Sequence, residues 1–123
     1  MLTVLVVDDE DAIRRVLRRA IAREGVDVHT AATVDSAKRC IGEFRIDGAF
    51  LDVRLGGESG FDLYTWIQGA RPQLAPHVVF TTGDAVNDAT HRSLSEFGRP
   101  VLAKPFNLSE LIAHVREWKN EAG

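Results

Sequence analysis

Short apolar runs alternate with longer segments of helical periodicity from one end of the chain to the other. Leu2 to Val7 is almost wholly apolar and rich in Val, a pattern that suits a strand covered on both faces. Asp11 to Glu24 places Ile13, Val16, Leu17, Ala20 and Ile21 on one stripe and predicts a helix, with Gly25 available to end it. Val26 to Ala31 alternates as a second strand. Thr33 is placed to cap a helix from Val34 to about Phe44, apolar at Ala37, Cys40, Ile41 and Phe44. Gly48 to Val53 is a third strand. A loop from Arg54 to Ser59 leads into a helix that runs to about Ala70, where Arg71-Pro72 stops it. His77 to Thr82 is a fourth strand. Gly83 to Phe97 is a helix weakened by Asp84, Asn87, Asp88 and Thr90. Pro100 to Ala103 is a short fifth strand whose proline suits a start or an edge. Asn107 caps a last helix, with Glu110 in capping-box position and a stripe of Leu108, Leu111, Ile112 and Val115.

Five β/α units in succession predict an α/β fold: a doubly wound, five-stranded parallel sheet with five helices and right-handed crossovers. The whole chain, 1–123, reads as one domain, with about 119–123 as a tail or linker.

Composition narrows the class. Val, Leu, Ile and Phe supply 36 of 123 residues, enough for a core without staples. A net charge of −3 argues against direct nucleic-acid binding. The single Cys40 excludes an internal disulfide and falls on an apolar stripe, so it reads as core. No apolar run approaches the roughly 18 residues of a membrane span, and the acidic run Asp8 to Asp11 does not fit a signal peptide. A cytoplasmic location is expected. The four histidines show no metal spacing.

In sheets of this kind ligands bind at the carboxyl ends of the strands. The first strand ends in Asp8 and Asp9, the third in Asp52, the fourth in Thr82 and Gly83, and the fifth in Lys104. Three carboxylates, a hydroxyl and an ammonium thus converge on one rim. Clustered carboxylates raise one another's pKa, and a hard divalent cation relieves this. Oxygen-only ligands point to Mg²⁺, or Mn²⁺, rather than zinc. A carboxylate beside such a cation and a lysine is equipped to attack phosphorus, the two cations neutralising equatorial oxygens. Thr82 can hydrogen-bond a phosphoryl oxygen, and Gly83 leaves room for one. Each residue also has a bland reading. An Asp pair can cap the next helix, Thr82 can be a plain strand former, and Lys104 can be a solvated charge.

Five short elements carry a resemblance over nearly the whole length. They are Val-Leu-Val-Val-Asp-Asp-Glu at 4–10, Leu-Asp-Val-Arg-Leu at 51–55, Ser-Gly-Phe at 59–61, Thr-Thr-Gly at 81–83 and Lys-Pro-Phe at 104–106. In this order and spacing the chain resembles the receiver domains of two-component response regulators. The resemblance implies a flavodoxin-like sheet of strand order 2-1-3-4-5. It implies that Asp52 is the phosphoacceptor, that Asp9 binds Mg²⁺ directly and Asp8 through water, and that Asp52 and the Arg54 carbonyl complete the protein ligands. Lys104 would pair with the phosphoryl group, Thr82 would be the switch hydroxyl, and the Lys104–Pro105 bond would be cis. The expected donor is a phosphohistidine on a sensor kinase or phosphotransfer protein. The chain is expected to be a switch rather than an enzyme with an external substrate. No output domain is expected in it; it reads as a single-domain regulator or as a receiver fused to a hybrid kinase, able to form a homodimer.

Two positions depart from the family pattern. Val101 stands where the family often has Tyr or Phe, so readout through an aromatic ring is not expected. Gly56 stands where proline is usual, which predicts a mobile loop. Arg54 and Asp84 occupy positions that tune phosphoryl lifetime in the family, and they read either as a pair across the site mouth or as two solvated side chains. Arg14, Arg15, Arg18, Arg19 and Arg23 lie on one side of the first helix, either a solvated face or a docking face for an acidic partner. Trp118 is expected to cover the last helix or to meet a neighbouring domain. A receiver fold that works by binding alone and a small Mg²⁺-dependent phosphatase are the other classes. The phosphatase wants a second acid where Arg54 stands. A flavin protein would place its phosphate against Asp8 to Asp11, which would repel it.

Overall fold

The computed structural model describes residues 2–83, 88–105 and 107–122. Five strands form one parallel sheet: β1 (Thr3–Val7), β2 (Asp27–Ala31), β3 (Gly48–Asp52), β4 (Val78–Thr82) and β5 (Val101–Ala103). Their spatial order is β2-β1-β3-β4-β5, with every pairing parallel. Five helices connect and follow them: α1 (Asp11–Ala22), α2 (Val34–Glu43), α3 (Gly60–Ala70), α4 (Asp88–Phe97) and α5 (Leu108–Ala122). The expected strand order and helix count are both found. A short antiparallel ribbon, Arg54–Leu55 against Glu58–Ser59, fills the connection between β3 and α3.

Strand alternation divides the core in two. Val4, Val6, Phe50 and Val79 face α1 and α5, where they meet Leu17, Ile21, Leu111 and Val115. Leu5, Val7, Leu51 and Phe80 face the other side, against Ile41, Leu63 and Ile67. Side chains one apart on a strand point to opposite faces, so an all-apolar run is what two covered faces require. Each fully buried aliphatic side chain contributes on the order of 2 kcal/mol.

Local signals set the element ends. Thr33 Oγ1 accepts from the Ser36 amide at 3.1 Å, and Ser36 Oγ accepts from the Thr33 amide at 3.2 Å, a reciprocal cap on α2. Gly25 ends the α1 turn with φ +77°, where a side chain would be strained. Asn107 Oδ1 accepts from the Ser109 amide at 2.8 Å at the head of α5. Helix α4, described over Asp88–Phe97, is anchored by Leu94 and Phe97, the latter against Tyr64 at 5.0 Å between ring centroids.

The last turn corrects one expectation. Lys119 to Glu121 are helix, not tail. The apolar stripe continues from Leu111 and Val115 to Trp118, which is buried against Phe50 with ring centroids 5.2 Å apart. Two polar contacts hold this end down. Lys119 Nζ donates to the Glu24 carbonyl at 2.7 Å, and His77 Nε2 meets the Glu121 carboxylate at 2.5 Å. Trp118 is therefore core in this domain rather than a contact for another.

Candidate functional site

The rim at the carboxyl ends of β1, β3, β4 and β5 carries the residues expected from the sequence. Asp8 and Asp52 are both buried, at 1% and 5% exposure, while Asp9 is exposed. Lys104 reaches in from the end of β5. Its ammonium donates to Asp8 Oδ2 at 2.7 Å and to Asp52 Oδ2 at 3.1 Å. The Lys104 amide is fixed by the Thr82 carbonyl at 2.7 Å, and the Lys104–Pro105 bond is cis, as expected. A cleft of about 280 Å³ opens between Asp9, Glu10, Asp52, Arg54, Gly56, Thr82, Gly83 and Lys104.

One ammonium serves two buried carboxylates, and the shorter bond goes to Asp8. Burial raises the Asp52 pKa; the Lys104 hydrogen bond opposes it and Asp8 adds to it, with a net upward shift. Burial lowers the Lys104 pKa, but the hydrogen bonds to Asp8 and Asp52 outweigh it and the net shift is upward. The site thus holds a charged lysine and an under-compensated carboxylate, the setting in which a further cation is favourable.

The acids at the end of β1 gather more tightly than the sequence suggested. Carboxylate oxygens of Asp8, Asp9 and Glu10 lie within 4.8 Å of one another. Glu10 is the addition. Its only signal was its place in the acidic run, and its Oε1 stands 4.0 Å from Lys104 Nζ. The donor set is all oxygen and anionic, which fits a hard divalent cation. The capping reading of the Asp pair is not realised: Asp8 Oδ1 accepts from the Glu10 amide at 2.8 Å in the turn before α1, whose N-cap, Glu10, makes no side-chain cap hydrogen bond.

The connection after β3 supplies two more backbone contacts. The Arg54 amide donates to Asp52 Oδ1 at 3.2 Å and the Gly56 amide to Asp9 Oδ2 at 3.0 Å. Gly60, read in the sequence as a helix start and as part of a motif, proves to be a packing residue. Its amide donates to the Val53 carbonyl at 2.8 Å, and a Cβ there would stand 2.1 Å from the Asp52 carbonyl oxygen. Gly83 lines the cleft, and a Cβ on it would meet only the Lys104 side chain, at 3.5 Å. Val101 is 42% exposed on β5. Asp84, one of whose readings is a pair with Arg54, lies outside the described residues.

This architecture has known counterparts. The model of the response regulator receiver domain matches residues 4–116. The chain belongs to the response regulator receiver domains. A DNA-binding transcriptional regulator, NtrC of Azospirillum brasilense, is 34% identical over 120 residues, covering 96% of this chain and 24% of that protein. The receiver therefore spans about a quarter of that relative's length. A CheY-like receiver domain from Methanospirillum hungatei superposes with a TM-score of 0.87 at 24% identity, over 98% of this chain and 95% of that one. A Burkholderia pseudomallei response regulator, solved with a phosphorylated aspartic acid, a calcium ion and citrate, has a TM-score of 0.81 at 26% identity, over 99% of this chain and 74% of that one.

On the receiver's α1, the five arginines do not form one solvated row. Arg14 is half-buried and donates from Nη1 to the Asp8 carbonyl at 2.7 Å; with Arg15 it also pairs with Asp11. Arg15, Arg18, Arg19 and Arg23 are exposed, and Val16 among them is 51% exposed. None of the receiver's described helices is long and apolar enough to cross a membrane.

Proposed function

We propose that this receiver domain takes a phosphoryl group onto Asp52 from a phosphohistidine of a sensor kinase or phosphotransfer protein. A side-chain oxygen of Asp52 attacks phosphorus. The P–N bond to the donor imidazole breaks, and its electron pair stays on that nitrogen, which then takes a proton. The observation that carries this reading is the Lys104 ammonium shared between buried Asp8 and Asp52 at the mouth of the cleft.

Lys104 starts on Asp52 and is placed to follow negative charge onto the incoming phosphoryl oxygens. Thr82 and Gly83, at the end of β4, line the same cleft; the hydroxyl would hydrogen-bond a phosphoryl oxygen, and Gly83 would admit one. Asp9 and Asp52, the Arg54 carbonyl and, through water, Asp8 would hold Mg²⁺, with Glu10 beside them. Mg²⁺ supplies charge neutralisation on the phosphoryl oxygens. The phosphorylated aspartate and calcium ion of the Burkholderia pseudomallei relative support this assignment by similarity.

The product is a signal, not a released metabolite. An added dianion at Asp52 biases the segments after β3 and β4, and a partner reads the change. Arg15, beside Asp11 at the start of α1, and the exposed arginines further along that helix suit an acidic face on the donor protein.

The test is intact mass after incubation with acetyl phosphate, with and without Mg²⁺, for the wild type and Asp52→Asn. A Mg²⁺-dependent gain of one phosphoryl group, absent in the variant, is expected. No gain from acetyl phosphate or from a panel of phosphorylated kinases would move the assignment to a binding module that works without phosphorylation.

A further inference from the structure

The ribbon between β3 and α3 turns one edge toward the acids. Arg54, on the ribbon's first strand, and Gly56, in the turn that follows it, both present their amides to the acids. One donates to Asp52 Oδ1 at 3.2 Å and the other to Asp9 Oδ2 at 3.0 Å. The opposite edge pairs with Glu58–Ser59, and buried Leu55 roots the ribbon in the core. Gly56 opens the two-residue turn with φ +64°, a conformation glycine adopts freely. The bond to Asp9 links residues 47 apart in sequence, and Asp9 is otherwise an exposed side chain on a loop. Proline, usual at this position in the resembling family, has no amide hydrogen and needs φ near −65°. This contact therefore needs a residue at 56 that is not proline and accepts positive φ.

We propose that the Gly56 amide is a positioning group for divalent-cation binding: it fixes Asp9 through Oδ2 and ties the cation site to the ribbon. The inference rests on the reading of Asp9 as a cation ligand. A carboxylate offers about four lone-pair positions, so one hydrogen bond leaves the second oxygen and spare lone pairs for the cation. An exposed carboxylate held by a backbone amide has fewer rotamers to lose when it binds. Partners of this kind are typically worth about 10–100-fold in metal affinity.

The decisive variant replaces the Leu55–Gly56 amide with an ester in the full chain, removing the hydrogen while adding no side chain. Gly56→Asn keeps the hydrogen and tolerates positive φ. Gly57→Ala is the control for the turn, because a Cβ there meets nothing within 4 Å. Mg²⁺ affinity is measured by calorimetry, and Mg²⁺ half-saturation and maximal rate by phosphorylation with acetyl phosphate. The ester is expected to weaken Mg²⁺ binding about tenfold and to move half-saturation more than maximal rate. Gly56→Asn should recover most of the affinity and Gly57→Ala nearly all of it. Equal affinity in ester and wild type, tighter binding by the ester, or equal losses in ester and Gly56→Asn would overturn the proposal. A wild type that takes up no Mg²⁺, or takes it up as Asp9→Asn does, would overturn the cation reading itself.

Discussion

Gly60 lies directly on the backbone of Asp52. A Cβ at 60 would stand 2.1 Å from the Asp52 carbonyl oxygen and 3.2 Å from the Val53 Cα, with no flexible side chain to give way. Gly60→Ala should therefore push β3 and α3 apart at the site. We expect a loss of about 2 kcal/mol in urea denaturation, together with slower phosphorylation. Gly57→Ala, with open space around it, should unfold like the wild type. A Gly60→Ala protein of unchanged stability would contradict the packing.

Lys104 is the counter-charge for two buried acids. Lys104→Met leaves Asp8 and Asp52 without it, and the expected cost without metal is about 3 kcal/mol. Mg²⁺ should restore part of that loss, which thermal melts with EDTA and with Mg²⁺ would show. The raised Lys104 pKa gives the contribution a sign with pH. It is fully present below the lysine's unfolded value and is lost as pH rises through the folded one.

Asp52 behaves oppositely to a salt-bridged carboxylate. Burial holds its pKa above the ordinary 3.8, against the pull of Lys104 and Arg54. The native state thus binds this proton more readily than the unfolded chain does. Stability from this group is greatest in acid and falls as pH rises from the ordinary value through the raised one. Asp52→Asn should melt higher than the wild type at pH 7 in EDTA, with the gap closing in acid and narrowing when Mg²⁺ stabilises the wild type. A variant that melts lower at pH 7 would contradict this.

Trp118 closes the core beneath α5. Its ring lies over Gly48, where a Cβ would meet Trp118 Cε3 at 2.4 Å, and it packs against Phe50. Trp118→Ala should cost about 4 kcal/mol by denaturation, and Gly48→Ala should be destabilising through overpacking. A mild Trp118→Ala would instead mark the residue as a docking surface.

The strand ends named the site before any coordinates did. Asp8, Asp52, Thr82 and Lys104 each terminate an apolar run, and in a parallel sheet all such ends share one rim. That inference needs only the period-2 pattern and the topology. Glu10 and Gly60 were less legible. Glu10 looked like one more charge in a run, and its approach to Lys104 depends on how the chain turns into α1. Gly60 looked like a helix start, and only the crossing of α3 over β3 makes a Cβ impossible there.

The sequence by itself determined the alternation of strands and helices, the two-faced core and the acid-lysine set, because side-chain periodicity and strand ends are local properties. Tertiary structure alone decided which acid takes the shorter bond from Lys104, that the Gly56 amide holds Asp9, that Trp118 is core, and that Lys119 and Glu121 extend α5 instead of starting a tail. These depend on distances between segments tens of residues apart, and no local pattern of hydrophobic and polar positions encodes a distance.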